Sequence, residues 1–180
     1  MIFVSKMLNR IVLFFIFLGI FSASFAVGAE VQVSEEESAI VLEQFESLIG
    51  NIDAVGIFVH NVSLALPMFI PGFGIAWGAF AAFSTGMAFS VLQNASPMLE
   101  NIPSLTVLFM SPFGLMEVAA YSIAMSRSYM IIHKMIKKMP IRPDVRIIGL
   151  EIAILVGLLL AGGFVEYFFI ENLPTDMPKI

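Results

Sequence analysis

Long apolar stretches separated by short charged ones run the length of this 180-residue chain. Ile11–Ala29 is uncharged and follows Lys6 and Arg10. Ala54–Leu99 holds no Asp, Glu, Lys or Arg, which is enough for two crossings of a bilayer at about 20 residues each. Asn101–Ser126 is broken only by Glu117, and Ile147–Ile170 only by Glu151 and Glu166. The long second stretch must reverse direction, and Pro71-Gly72-Phe73-Gly74 is its strongest turn signal. The expected elements are therefore helices over Ile11–Ala29, Ala54–Ile70, Ile75–Gln93, a fourth segment and Ile147–Ile170. This is an all-α membrane protein with a bundle of five transmembrane helices, or four if the first segment is a cleaved signal. Residues 30–53 lead into a polytopic domain over 54–171, followed by a tail over 172–180.

Two segments admit more than one reading. The first has a basic start and a small-residue site, Val27-Gly28-Ala29, before Glu30, as a secretion signal does. Its apolar run is longer than the usual signal core of about 7–15 residues, which favours a retained helix. The fourth is interrupted by Pro103 and by Pro112-Phe113-Gly114. It is either one kinked helix or a short dip over Ile102–Ser111 followed by a full helix over Phe113–His133, and the second reading is preferred. Proline inside a helix removes a hydrogen bond and collides with the preceding turn.

Between the first two apolar segments, Ser34 and Glu37 have the spacing of a capping box. Val41, Leu42, Phe45, Leu48, Ile49 and Ile52 follow on one helical face. An amphipathic helix over Glu35–Gly50, lying on the outer membrane surface, is expected.

Composition sharpens the class. Hydrophobic residues make up 59% and charged ones 13% of the chain, too few charges to cover a soluble globule. There is no cysteine, which excludes disulfides, thiolate catalysis and Cys-ligated zinc. The net charge of −5 argues against nucleic acid as a partner.

The position of the charges is more telling than their sum. In a five-span arrangement Lys6, Arg10, Arg127, Lys134, Lys137, Lys138, Arg142 and Arg146 share one side, the cytoplasm by the positive-inside rule. The acidic segment 30–53 and the C-terminus fall outside.

Small residues recur at every fourth position in two helices: Gly74, Gly78, Ala82, Gly86 and Ser90, then Gly149, Ala153, Gly157 and Ala161. In lipid such stripes let helix backbones approach closely, within a chain or between subunits. Leucine at Gly78 or Gly157 is expected to destabilise the bundle.

His60, Asn61, Glu117 and Glu166 are the intramembrane polar candidates, since such groups mark interior contacts or functional sites. Glu151, near the basic end of its helix, is expected to snorkel to the interface or to pair with Arg127 or Arg146. Glu117 follows the Pro112–Gly114 break by one turn, where the helix start and its free N–H groups favour a carboxylate. The 12 methionines read as packing, and no metal or cofactor is expected. Asn94-Ala95-Ser96 is a glycosylation sequon expected in an outer loop. With no nucleophile–base set, HExxH or paired carboxylates in an aqueous cleft, the chain does not read as an enzyme.

Taken in order, Phe58-Val59-His60-Asn61, the Pro71–Gly74 turn with its glycine-striped helix, Ser111-Pro112-Phe113-Gly114-Leu115-Met116-Glu117, and Ala161-Gly162-Gly163-Phe164-Val165-Glu166 resemble the stage II sporulation protein M family. The resemblance covers residues 54–171. It implies a helical bundle in which Asn61, Pro112, Gly114, Glu117 and Glu166 occupy the family's recurring positions. Phe113 stands where that family often has His, and Thr85 where Asn often precedes glycine; both departures weaken any proton-relay or metal role. The role implied is that of a non-enzymatic scaffold in a membrane complex, with the lipid bilayer and other integral subunits, or a second copy, as partners. The competing expectation is a transporter or pore for a small solute, ion or proton, using Glu117 in the broken segment.

Overall fold

A computed structural model describes residues 2–49, 53–96, 99 and 102–172. All regular elements among them are helical. They run α1 (Ile2–Ala29), α2 (Glu35–Ile49), α3 (Ala54–Ala65), a 3-10 turn (Leu66–Phe69), α4 (Phe73–Ala95), α5 (Ser104–Met110), α6 (Pro112–Ile136), a second 3-10 turn (Arg142–Asp144) and α7 (Val145–Glu171). Three helical stretches, Asn9–Ala29, Phe73–Ala95 and Arg142–Glu171, are long and apolar enough to cross a membrane, and α5 with α6 makes a fourth if that bent pair is one span. The expected five therefore becomes three or four by this measure. The difference is α3, whose apolar stretch with its 3-10 extension ends at Phe69; sixteen residues of helix reach only about 24 Å.

The α4 stripe is the centre of the packing. Gly74, Gly78, Ala82, Gly86 and Ser90 are all buried. Gly74 lies against the Met68 carbonyl, Gly78 against the Met125 sulfur, and Gly86 against the backbone of Phe25 and Ala29 in α1. Gly28 of α1 returns the contact, meeting the Phe83 backbone of α4. The two helices run in the same direction, and just beyond α1 the Ser90 hydroxyl donates to the Val31 carbonyl at 3.2 Å. One face of α1 then carries Phe17, Phe21 and Phe25, spaced by four and each no more than 4% exposed. Phe17 meets Tyr129 and Phe21 meets Tyr121 of antiparallel α6, and Phe25 meets Phe89 of α4.

The α7 stripe behaves differently. The face of α7 turned to α6 and α3 carries Glu151, Leu155, Leu159, Gly162 and Gly163. Gly149, Ala153, Gly157 and Ala161 lie two residues out of phase, about 200° around the helix, and all four are exposed. No heavy atom beyond the helix's own lies within 4 Å of a side chain begun at Gly149 or Gly157. A leucine at Gly157 would therefore meet no neighbour among the described residues, so the expected destabilisation has no packing contact behind it here. Gly163, outside both predicted stripes, is the glycine that admits the backbone of α3 at Ala54 and Phe58.

α2 starts as its capping box predicts. The Ser34 N–H and hydroxyl donate to Glu37 Oε2 at 3.3 and 2.7 Å, and the Glu37 N–H donates to Ser34 Oγ at 3.3 Å. α2 leans on α4. Gly50 and Ile52, and the side chains of Phe45, Leu48 and Ile49, lie outside the described residues, as does the tail from 173 onward. Asn94 is exposed in the last turn of α4 rather than in a loop.

Two measurements check this packing. Gly86→Leu must push backbone aside, whereas Gly78→Leu meets the flexible Met125 side chain. Both lower thermal stability in detergent, Gly86→Leu the more, on the scale of about 1–3 kcal/mol or above for overpacking, while Gly157→Leu leaves it unchanged. For α2, the hydrogen bonds from the Ser34 hydroxyl and then its N–H hold the Glu37 carboxyl below its ordinary range. A depressed carboxyl stabilises the helix above its unfolded-state value and loses that contribution as pH falls through its folded value. Amide exchange in the first turn of α2 should therefore speed up on acidification from neutral pH to about 3, beyond the intrinsic change, and Ser34→Ala should remove that dependence.

Candidate functional site

Two polar clusters join helices that apolar packing alone would leave free to slide. The first lies at the start of α6. Chain direction changes by 89° between α5 and α6. Ser111 forms the hinge: its hydroxyl donates to the Val107 carbonyl at 2.7 Å and accepts the Gly114 N–H at 3.1 Å. Pro112 takes the first helical position, where no N–H is required. Gly114 is buried under this turn, and a side chain there would press on Ser111 and on the Leu108 and Val107 carbonyls. The break expected before the full helix is present: α5 ends at Met110 and α6 starts at Pro112.

The hinge presents Glu117 to α3 and α7. Asn61, only 7% exposed, donates its side-chain N–H to Glu117 Oε1 at 2.7 Å. Glu166 of α7 lies close enough for the two carboxylates to interact, with Tyr121 beside them. Asn61 and Glu117 thus meet from α3 and α6, and no side-chain hydrogen bond joins Glu166 to either among the described residues. His60 does not join them; 100° around α3 from the buried Asn61, it is exposed. The partner of Glu117 is the Asn61 amide, not the free N–H groups of the helix start; the Gly114 N–H among those is taken by Ser111.

The second cluster lies toward the other end of α6. Arg127, 1% exposed, faces Glu151 with two guanidinium nitrogens, Nη2 donating to Oε1 at 2.8 Å. Nε engages the other carboxylate oxygen, and Arg10 of α1 also pairs with Glu151. The expected pairing of Glu151 with Arg127 is present, and the contribution of Arg10 was not anticipated. Lys134 and Asp144 form a further pair across the turn to α7.

Ser128, beside Arg127 and fully buried, was also missed. Its hydroxyl donates to the Ile70 carbonyl at 2.6 Å and accepts the Gly72 N–H at 3.0 Å. Gly72 has φ 78°, a left-handed conformation that glycine adopts without cost. The α3–α4 turn is therefore pinned to α6. Trp77 Nε1–H, donating to the Leu64 carbonyl at 2.9 Å, closes the same hairpin.

Among the described residues, no group of three or more His, Cys, Asp or Glu side chains is placed to hold a metal ion. The fold and these clusters define a helical bundle with apolar helices of membrane-crossing length. Comparison of the chain with protein families, with curated proteins and with solved structures finds no match.

Removing one member of a buried ion pair costs about 3–5 kcal/mol, because the other charge is left unpaired. Glu151→Leu, which strands the buried Arg127, should therefore lower the detergent melting temperature strongly, and adding Arg127→Met should restore much of the loss, the Arg10 side chain being 32% exposed. Asn61→Leu, which strands a polar group rather than a paired charge, should cost less, about 1–3 kcal/mol. A melting series over these variants checks both.

Proposed function

We propose that this chain is a non-enzymatic integral membrane subunit that scaffolds a larger complex by helix packing. The observation that carries this reading is the α7 face. The same small-residue device that α4 uses to bring α1 into backbone contact is present on α7, yet Gly149, Ala153, Gly157 and Ala161 are exposed and meet no partner helix among the described residues. Exposed large residues flank it, among them Leu150, Ile154, Leu160 and Phe164. In lipid such a face favours a second helix, because small residues permit the close contact on which association depends. That helix belongs to another integral subunit or to a second copy. The resemblance to the stage II sporulation protein M family implies the same kind of role.

In this reading α1, α3, α4, α6 and α7 are the five crossings, and α2 lies amphipathically on the outer surface. Short α3 is completed by its 3-10 turn, and α5 dips in against α6, α1 and α4. The pairing of Arg10 with Glu151, and of Lys134 with Asp144, supports gathering the basic ends of α1, α6 and α7 at one side, the cytoplasm. The acidic segment 30–53 and the C-terminus are then extracytoplasmic. Retention of the first segment is supported by its burial of Phe17, Phe21 and Phe25 and by its backbone contact with Gly86. A transport role through Glu117 has the 89° break in its favour. The direct bond from Asn61 favours a structural role instead.

Purification of the intact chain from carbonate-washed membranes in mild detergent tests the scaffold. The wild type should elute with partner subunits or as an oligomer, and Gly157→Leu should elute alone with an unchanged melting temperature. A wild type that is monomeric and alone, or an assembly indifferent to Gly157→Leu, contradicts the reading. The mature N-terminus should precede residue 29; a start at Glu30 contradicts the five-crossing form.

A further inference from the structure

α1 and α7 both pack on α6, yet they do not pack on each other. Between them a groove of about 420 Å³ opens on the outside of the bundle. Its walls are apolar, formed chiefly by Phe14 and Phe15 of α1, Ile123 of α6 and Ile154 of α7, and Arg10 and Glu151 stand at its head. The volume suits a small ligand or a chain of methylenes. A helix about 10 Å across would place only about one turn in it.

The charge at the head is unbalanced. Arg10 and Arg127 share the single carboxylate of Glu151, while Asp144, which also lies near both arginines, is paired with Lys134. Three bases therefore meet two acids. Arg127 and Glu151 are closed off, with side chains 1% and 11% exposed, whereas the Arg10 side chain remains 32% exposed. The Ser126 hydroxyl, also in the groove, is satisfied by the Ile123 carbonyl at 2.8 Å. A guanidinium has five N–H donors, so Arg10 retains several after pairing with Glu151. A cationic fork above an apolar, lipid-facing slot matches one chemistry in particular.

We propose that the α1–α7 groove is a binding site for an anionic phospholipid of the leaflet at the basic end of the bundle. The phosphate accepts hydrogen bonds from Arg10, and one acyl chain lies between Phe14, Phe15 and Ile154. Phosphate and guanidinium are complementary in charge and in paired hydrogen-bonding geometry, and basic pockets between helices on the cytoplasmic side suit acidic headgroups. Bound there, the lipid fills the gap between α1 and α7 and offsets the unmatched positive charge. This rests on the membrane reading above. A chain that stays in carbonate-washed membranes but lacks lipid preference overturns the groove alone.

Native mass spectrometry of the full chain in detergent tests it, with phosphatidylglycerol, phosphatidylcholine and free glycerol phosphate as probes. One phosphatidylglycerol should be retained per chain, at a lipid concentration roughly fivefold below that needed for phosphatidylcholine, the scale of one basic side chain at a membrane surface. Glycerol phosphate should not bind. Arg10→Gln should bring the two lipids level, and Ile154→Trp, which fills the slot and keeps the charge, should abolish retention of both. If Arg10→Gln does not yield folded protein, the Ile154→Trp arm decides alone. Equal retention of both lipids by the wild type, or a preference that survives either substitution, overturns the proposal. So does binding of glycerol phosphate, or a second copy of the chain that Ile154→Trp displaces without any lipid effect.

Discussion

The backbone contact between α1 and α4, where Gly28 meets Phe83 and Gly86 meets Phe25 and Ala29, is the constraint on which the rest of the bundle depends. Lipid tails are as apolar as leucine, so no hydrophobic force drives one apolar helix onto another; close packing has to supply the attraction. Dispersion is weak per atom pair and large in sum only when surfaces touch along their length. A side chain at Gly86 would separate the two helices. The line of Phe17, Phe21 and Phe25 would then lose its register with Tyr129, Tyr121 and Phe89. That line is how α1 holds α6, and α6 in turn carries both polar clusters.

Those clusters add direction to packing that would otherwise tolerate sliding. Asn61 and Glu117 tie α3 to α6, with Glu166 of α7 alongside, and Arg127, Glu151 and Arg10 tie α6 to α7 and α1 toward the other end. Ser128, next to Arg127, holds the α3–α4 turn to α6. Each group would be costly in an apolar surrounding if left alone, and a shift by one helical turn would leave it so. The polar groups therefore select one arrangement among several that small residues permit. The α1–α7 groove is the place where this accounting is incomplete within the chain.

Much of this was legible in the sequence because membrane helices write their limits in charge, proline and glycine. The Pro71–Gly74 turn and the Pro112–Gly114 break mark boundaries close to those observed, whereas α1 starts at Ile2 and takes in Lys6 and Arg10; the capping box at Ser34 and Glu37 forms as spaced. The α4 stripe and the Arg127–Glu151 pair were legible too, since small residues and opposite charges within long apolar helices have few other uses. What could not be read was direction around a helix axis. Gly157 and Gly163 are both glycines on α7, yet one faces open space and the other the backbone of α3. His60 and Asn61 are neighbours in sequence and part company for the same reason. Ser128 carried no signal, because a serine that bonds a distant turn has the same local surroundings as one that bonds its own helix. The shortness of α3 follows from the 3-10 turn at Leu66–Phe69, which hydropathy does not register.

The central claim is that α7 turns its small-residue face toward another chain. The absence of native cysteine allows a direct measurement. Single cysteines are placed at Gly157 and at Phe80, a residue 59% exposed on α4, and crosslinked in native membranes. The account predicts a discrete adduct from Gly157→Cys, to another membrane protein or to a second copy, and none from Phe80→Cys. No adduct from Gly157→Cys, or the same pattern from both positions, would contradict it.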